Sequence, residues 1–282
     1  MRRLVGDVTG LARVVGGNVA ALYTVRVIAN LPRIIRDKTL ETADSSMRAR
    51  SEYKVRYRGA DLQVPGRSFP TIREMFARDV YMWPFALKIR PGITVIDLGC
   101  NEGFFSLFAA KRGAKVVAVD AQAGFRNFVM DNGRRNGCEE CMDFEFALVG
   151  AGSGLFAEEH KRQSGSHFGG EPSSITMDEL FARHSIAMVE FMKVDIEGAE
   201  FGLFSGSLDW LDRVSTIAME VHATFGEPSE LVELLSTRGF QTIFADSDLI
   251  VQSSANPQDG YIYATRGSLL LAPSRSELPD GV

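Results

Sequence analysis

Three stretches of this 282-residue chain carry residue types that can do chemistry at spacings that gather them. Asp97-Leu-Gly-Cys-Asn-Glu-Gly103 is an acid followed by glycines four apart, and Lys193-Val-Asp-Ile-Glu-Gly-Ala-Glu200 packs four ionisable groups into eight residues. Glu220-Val-His222 sets an acid two positions before an imidazole. Each follows a short apolar run, as does Asp120, 23 residues beyond Asp97. Such runs read as buried strands, and in open α/β sheets ligands bind outside the carboxyl ends of the strands. A site is therefore expected where Asp97, Asp120, Asp195, Glu220 and His222 converge.

In the first stretch Asn101 stands where the dinucleotide fingerprint G-x-G-x-x-G has its second glycine. That glycine lets backbone approach a pyrophosphate, so its absence argues against a nicotinamide oxidoreductase. S-adenosylmethionine carries no phosphate. Its amino group suits Asp97, the Gly99–Gly103 turn can pass close to it, and the helix N-terminus that follows favours its carboxylate. Asp120 can accept both ribose hydroxyls. A bare strand-to-helix turn would explain the loop alone, but not Asp120 at the next strand end.

The second and third stretches face the acceptor. If the strand continues, alternation puts Lys193, Asp195 and Glu197 on one face. Methyl transfer from a sulfonium is an in-line displacement that needs alignment, whereas a hydroxyl acceptor must also lose a proton. Asp195 or His222 could take it, with Glu220 orienting the histidine or the substrate hydroxyl. Alternatively Asp195, Glu197 and Glu220 offer hard oxygen ligands to a divalent cation that positions a diol. For Lys193, Glu197 and Glu200, plain ion pairing is the competing explanation, with Gly198-Ala199 permitting close helix packing.

The elements that must position these groups alternate in period. Apolar runs at 94–97, 115–120, 142–147, 188–194, 215–219, 241–245 and 261–265 predict seven strands. Helices are predicted at 71–77 with 81–88, at 103–112, 124–135, from Thr176-Met-Asp-Glu179 to Arg183, and at 228–238. The order predicts an α/β, Rossmann-like, mostly parallel seven-stranded sheet with helices on both faces. Residues 150–174, rich in Gly and Ser, read as a long loop able to act as a lid, with His160 and His167 solvated within it.

Asp97-Leu-Gly-Cys-Asn-Glu-Gly103-Phe-Phe-Ser106, the Lys193–Glu200 run and Glu220-Val-His222 together resemble the FkbM family of S-adenosylmethionine-dependent methyltransferases. Arg73-Glu-Met-Phe76 to Tyr81 and Asp178-Glu-Leu180 extend the resemblance over roughly 69–266. It implies a class I methyltransferase fold with the cofactor held by Asp97, Gly99, Asn101, Gly103, Phe104, Asp120, Ala121 and Ala147. It also implies transfer to an oxygen, on a sugar, glycolipid or secondary metabolite. The rivals are an N- or C-methyltransferase and a non-catalytic cofactor-binding scaffold. Two positions depart from the family pattern: Cys100 stands for the usual Ala, and Asp120-Ala-Gln replaces the commoner Glu-Pro.

The first 60 residues lie outside that resemblance and differ in charge. They hold 12 Lys/Arg against 5 Asp/Glu, a net +7 within a chain of net −5, which leaves −12 for the rest. An acidic main domain without a basic aromatic groove excludes nucleic acid as the expected acceptor. Residues 1–60 are expected to be a basic helical extension whose 41–58 part is a linker, 61–270 the methyltransferase domain and 271–282 a loose tail. The longest uncharged run of the extension, Val14–Val25, is too short to span a bilayer. Residues 1–40 therefore lie as an interfacial helix on anionic lipid, meet a partner subunit, or cap the main domain. Three cysteines suit a reducing, cytoplasmic location, with peripheral membrane contact as the variant. Cys138-Glu-Glu-Cys141 has half a zinc site's spacing but no matching second pair.

Overall fold

The apolar runs that end on acids form the parallel middle of one large sheet in the computed structural model, which describes residues 2–85, 88–150, 170, 172–255 and 258–269. The chain divides into two compact units between Trp83 and Pro84.

The first unit begins with helices α1 (Arg2–Val15), α2 (Gly17–Ala29), α3 (Leu31–Asp37) and α4 (Glu41–Met47). Strands β1 (Glu52–Tyr57) and β2 (Ala60–Pro65) follow as an antiparallel hairpin, and helix α5 (Phe69–Thr71) runs into a wider π-type turn at Ile72–Ala77. Two expectations are corrected here. Residues 41–58 are ordered helix and strand rather than linker, and the unit boundary lies at 83/84 rather than 60/61. The reason is period-two patterning: Tyr53, Val55 and Tyr57 are buried while Lys54 and Arg56 point outward, so the charges belong to the open face of a hairpin. Its two-residue turn, Arg58-Gly59, has both φ angles positive at 44° and 76°, the conformation that matches strand twist. At the centre of the unit the buried Arg73 guanidinium meets Asp7 Oδ2 of α1 at 3.1 Å and Asp44 Oδ2 of α4 at 2.8 Å. Tyr23 O–H donates to the same Asp44 at 3.0 Å.

The second unit contains strands β3 (Thr94–Leu98), β4 (Lys115–Asp120), β5 (Met142–Val149), β6 (Ser173–Ile175), β7 (Phe191–Val194), β8 (Thr216–Val221), β9 (Gln241–Asp246), β10 (Val251–Gln252) and β11 (Gly260–Thr265). They form one sheet in the order β10-β9-β11-β8-β7-β3-β4-β5-β6. The seven expected strands are its middle, and β6 and β10 add short edges, making nine among the described residues. Pairings from β8 through β6 are parallel, while β11 inserts antiparallel between β8 and β9. The connecting helices are α6 (Phe104–Lys111), α7 (Phe125–Asn136), α8 (Met177–Arg183), α9 (Glu200–Leu203) and α10 (Pro228–Thr237). Thr176 and Glu179 close a reciprocal capping box at the start of α8, as their spacing predicts.

Alternation along β3 sorts the two faces. Ile96 and Leu98 join a core with Leu180, Phe181, Trp210 and Leu235, from the α8-to-α10 side. On the other face Phe105 of α6 lies 5.4 Å, ring to ring, from Phe191. The expected helix at 81–88 is instead turn over 81–84 with Phe85 in an isolated bridge to Leu269, as Pro84 has no backbone N–H to continue a helical ladder. The long loop falls almost wholly on 151–169 and 171, outside the described residues, and so do His160 and His167.

Candidate active site

β3 pairs with β4 on one side and β7 on the other, so the chain leaves this central strand in two directions. A crevice forms where strand order reverses, and the glycine loop after β3 sits at that point. Gly99, Asn101 and Gly103 have φ of 70°, 52° and 75°. Gly99 is dictated by contact as well as by φ: a Cβ there would lie 1.7 Å from the Asp195 carbonyl oxygen. The N–H groups of Gly99 and Cys100 both donate to Val119 O, at 2.9 and 3.0 Å, hooking the loop onto the end of β4.

Asp120 completes the hook. Its Oδ2 accepts the Asn101 N–H at 2.9 Å and its Oδ1 the Gln122 N–H at 2.8 Å. Burial raises its pKa, opposed by those two N–H groups. Each oxygen keeps a second lone pair, which is what a ribose diol needs. Phe104, Ala121 and Ala147 are buried at the start of α6, after β4 and on β5 respectively. The positive-φ loop and the acid at the second strand end fit S-adenosylmethionine.

Asp97 is 0% exposed. Its Oδ2 accepts the N–H and O–H of Ser106 at 3.1 and 2.7 Å, and its Oδ1 lies 3.1 Å from Lys193 Nζ. Asp97 is therefore engaged through both oxygens by protein groups, where the sequence suggested that it would hold the amino group of the cofactor. Lys193 is the hub: buried on β7, its Nζ also donates to Gly99 O at 2.7 Å and lies 3.6 Å from Asp195 Oδ2. Burial pulls the lysine pKa down, but Asp97 and Asp195 outweigh it and hold it above the usual value. Neither Ser106 nor the hub role of Lys193 follows from spacing in the sequence.

Beyond β7 the alternation expected of Lys193, Asp195 and Glu197 breaks down, because the strand ends at Val194 and Glu197 takes a left-handed φ of 54°. This turn sends Glu197 toward His222, whose Nε2 lies 3.4 Å from Glu197 Oε2. The other ring nitrogen, Nδ1, is 3.2 Å from Oε1 of Glu200, a fully buried carboxylate that also accepts the N–H of Ile196 and of Gly198 at 3.3 and 3.1 Å. Burial lowers the histidine pKa, yet Glu200, Glu197 and Glu220 overcome it and raise it to about 9. The two flanking carboxylates thus favour the protonated imidazole of His222. Burial and the neighbouring Asp195 charge raise Glu220 to about 8, with His222 pulling the other way. Asp195 itself has a side chain 26% exposed.

Asp195, Glu197 and His222 bring one donor atom each within 4.8 Å of one another. His222 thereby takes the place that spacing suggested for Glu220 in a cation-binding set. Cys138 and Cys141 are free thiols outside this cluster.

The histidine and Glu220 protons have a measurable consequence. Both pKa values are raised above their ordinary 6.5 and 4.5, so the folded protein binds these protons more tightly than the unfolded chain. Their contribution is complete below the unfolded values and disappears as pH rises through about 8 for Glu220 and about 9 for His222. Thermal melts are expected to show falling stability across that window, and His222→Gln is expected to flatten its upper part. An unchanged slope in the variant would contradict the imidazolium assignment.

A family profile described as the methyltransferase FkbM domain matches residues 97–242, from the acid of the glycine loop to the start of β9. The chain belongs to the FkbM methyltransferase family. S-adenosylmethionine is the cofactor expected of that family. Among curated relatives, the 31-O-demethyl-FK506 methyltransferase FkbM of Streptomyces tacrolimicus is 27% identical over 219 residues, 62% of this chain and 82% of its own length. The 23S rRNA (uracil(1939)-C(5))-methyltransferase RlmD of Neisseria lactamica is 40% identical over only 74 residues, 16% of its length. Among solved structures, an rRNA methylase from Streptococcus thermophilus superposes with a TM-score of 0.39 at 11% identity, covering 63% of this chain and 88% of that one. The METTL16 methyltransferase domain gives 0.41 at 12%, covering 62% of this chain and 60% of that one.

Proposed function

We propose that this FkbM-family protein methylates an oxygen, a hydroxyl of a sugar, glycolipid or secondary metabolite. The observation that carries the reading is the contact between the cofactor loop and an acid that can take a proton. Gly99 packs directly on the backbone of Asp195. S-adenosylmethionine, when bound, supplies an electrophilic methyl group on a sulfonium. An amine acceptor can attack with its neutral lone pair, whereas a hydroxyl gains from a base at the moment of attack. The FkbM relative, whose name marks its acceptor as an O-demethyl compound, supports oxygen.

Of the two candidate bases, Asp195 is the better placed chemically. The clamp between Glu197 and Glu200 favours His222 in its protonated form, which makes it the weaker base. Asp195 is a half-buried carboxylate whose charge Lys193 balances from 3.6 Å. In this reading Asp195 takes the hydroxyl proton, Glu220 orients the acceptor, and His222 holds the Glu197 turn in place. Loss of a general base typically costs 10²–10⁴-fold in rate. Asp195→Asn is therefore expected to lower kcat by about 100-fold or more while S-adenosylhomocysteine binding, read by calorimetry, stays close to wild type. Asp120→Ala is expected to do the reverse, weakening cofactor binding. If Asp195→Asn turns over normally while His222→Gln does not, the histidine is the base. Tight NAD binding with none for S-adenosylhomocysteine would overturn the whole reading.

A second reading, favoured by the three converging donors, adds a divalent cation held by Asp195, Glu197 and His222. Two carboxylate oxygens and an imidazole nitrogen, the latter available once His222 gives up its proton to the ion, suit manganese better than magnesium, and the ion would orient a diol. It is sunk if exhaustive chelation leaves the rate unchanged.

A further inference from the structure

Helix α2 is apolar on two opposite faces, and the first unit buries only one of them. Tyr23 and Val27 lie inside, with Val19 and Ala20. At 100° per residue, Leu22, Val25 and Ile28 centre on the opposite side, and Val25 and Ile28 are 59% and 66% exposed. Helix α3, which follows directly, also buries no residue, and its Ile35 is 68% exposed. Surface helices normally keep such a face polar, and contiguous exposed apolar patches mark docking surfaces.

Charge identifies what docks. Between Asp7 and Asp37 the sequence holds Arg13, Arg26, Arg33 and Arg36 and no acidic residue. Beside Leu22 opens a cavity of about 770 Å³, lined along α2 and by Met47, Arg50 and Tyr53, with Arg26 at its side. Among the described residues neither Arg26 nor Arg50 pairs with an acid, and Arg50 stacks over Tyr53 at 5.4 Å. An apolar ridge flanked by arginines, next to a groove of mixed polar and apolar lining that holds two guanidinium groups, complements a surface that is apolar beneath and anionic above. No helix among the described residues is long and apolar enough to cross a membrane.

We propose that this face of the first unit docks on an anionic phospholipid bilayer, with Leu22, Val25, Ile28 and Ile35 entering the acyl boundary and Arg26 and Arg50 holding a lipid phosphate at the groove. Binding of this kind combines buried apolar area with attraction to anionic lipid and weakens with salt. The proposal is independent of the acceptor and of the identity of the base.

The test is sedimentation of the full chain with vesicles of pure phosphatidylglycerol and of pure phosphatidylcholine. Pelleting with the first and not the second is expected, falling about five-fold in apparent affinity for each arginine neutralised in Arg26→Gln and Arg33→Gln. Val25→Asp with Ile28→Asp, both at exposed positions, should abolish pelleting without changing the melting temperature. No pelleting with phosphatidylglycerol, or equal pelleting with both vesicles, would overturn the proposal. So would a dimer in light scattering that Val25→Asp with Ile28→Asp dissolves, since the face would then belong to a second copy of the chain.

Discussion

Gly99→Ala is expected to destabilise the second unit by about 2–5 kcal/mol and to remove S-adenosylhomocysteine binding. Two costs add. An L side chain at the φ of 70° costs about 1–2 kcal/mol, and overpacking costs a further 1–3 kcal/mol or so because the new methyl would sit 1.7 Å from backbone rather than from a movable side chain. Relief requires the ends of β3 and β7 to part, which misplaces Asp195 relative to the loop. In a domain of this size each kcal/mol moves Tm by about 2–4 °C, so the melt should shift by roughly 5–20 °C. Gly92→Ala is the control. That glycine also has a positive φ, 86°, but no atom lies within 4 Å of its added Cβ. It should cost only the backbone strain and leave cofactor binding intact. Equal losses in the two variants would show that contact with Asp195 does not set the effect.

Lys193→Met is expected to cost about as much by a different route. The side chain is replaced by one of similar length without charge, and Asp97, 0% exposed, is left facing an apolar atom. Removing one partner of a buried pair typically costs 3–5 kcal/mol, because the other charge remains desolvated. Ser106 still donates twice to Oδ2, which moderates the loss without replacing a cation. Adding Asp97→Asn should recover part of the stability, and the recovered part is the coupling energy of the pair. Urea denaturation of the four proteins of this cycle measures it, and strict additivity would mean that lysine and aspartate do not act as a pair.

The parts of the site that lie within one turn of a strand end were legible from residue order. The glycine loop needs positive φ at fixed positions, and an apolar run ending in Asp120 can only deliver that acid to the carboxyl edge of the sheet. The parts that depend on meeting across elements were not. Glu197 leaves its strand by a left-handed residue that is not glycine, a choice no propensity signals. The clamp on His222 needs Glu200, from the start of α9, to be buried beside the end of β8, and only the packed sheet brings these together. The β1–β2 hairpin was missed for the opposite reason. Its alternation and its Arg58-Gly59 turn are local, but the many charges on its open face imitate a linker.

The fastening of Arg73 to Asp7 has a bearing on how the protein comes into being. These partners stand 66 residues apart in sequence, so α1 gains this buried contact only once the chain has been made through Arg73. Burial alone drives the Asp7 pKa up, and the arginine acts against that. The first unit is thus fastened by a contact between its distant ends, and a chain halted before Arg73 would leave Asp7 and Asp44 without this guanidinium.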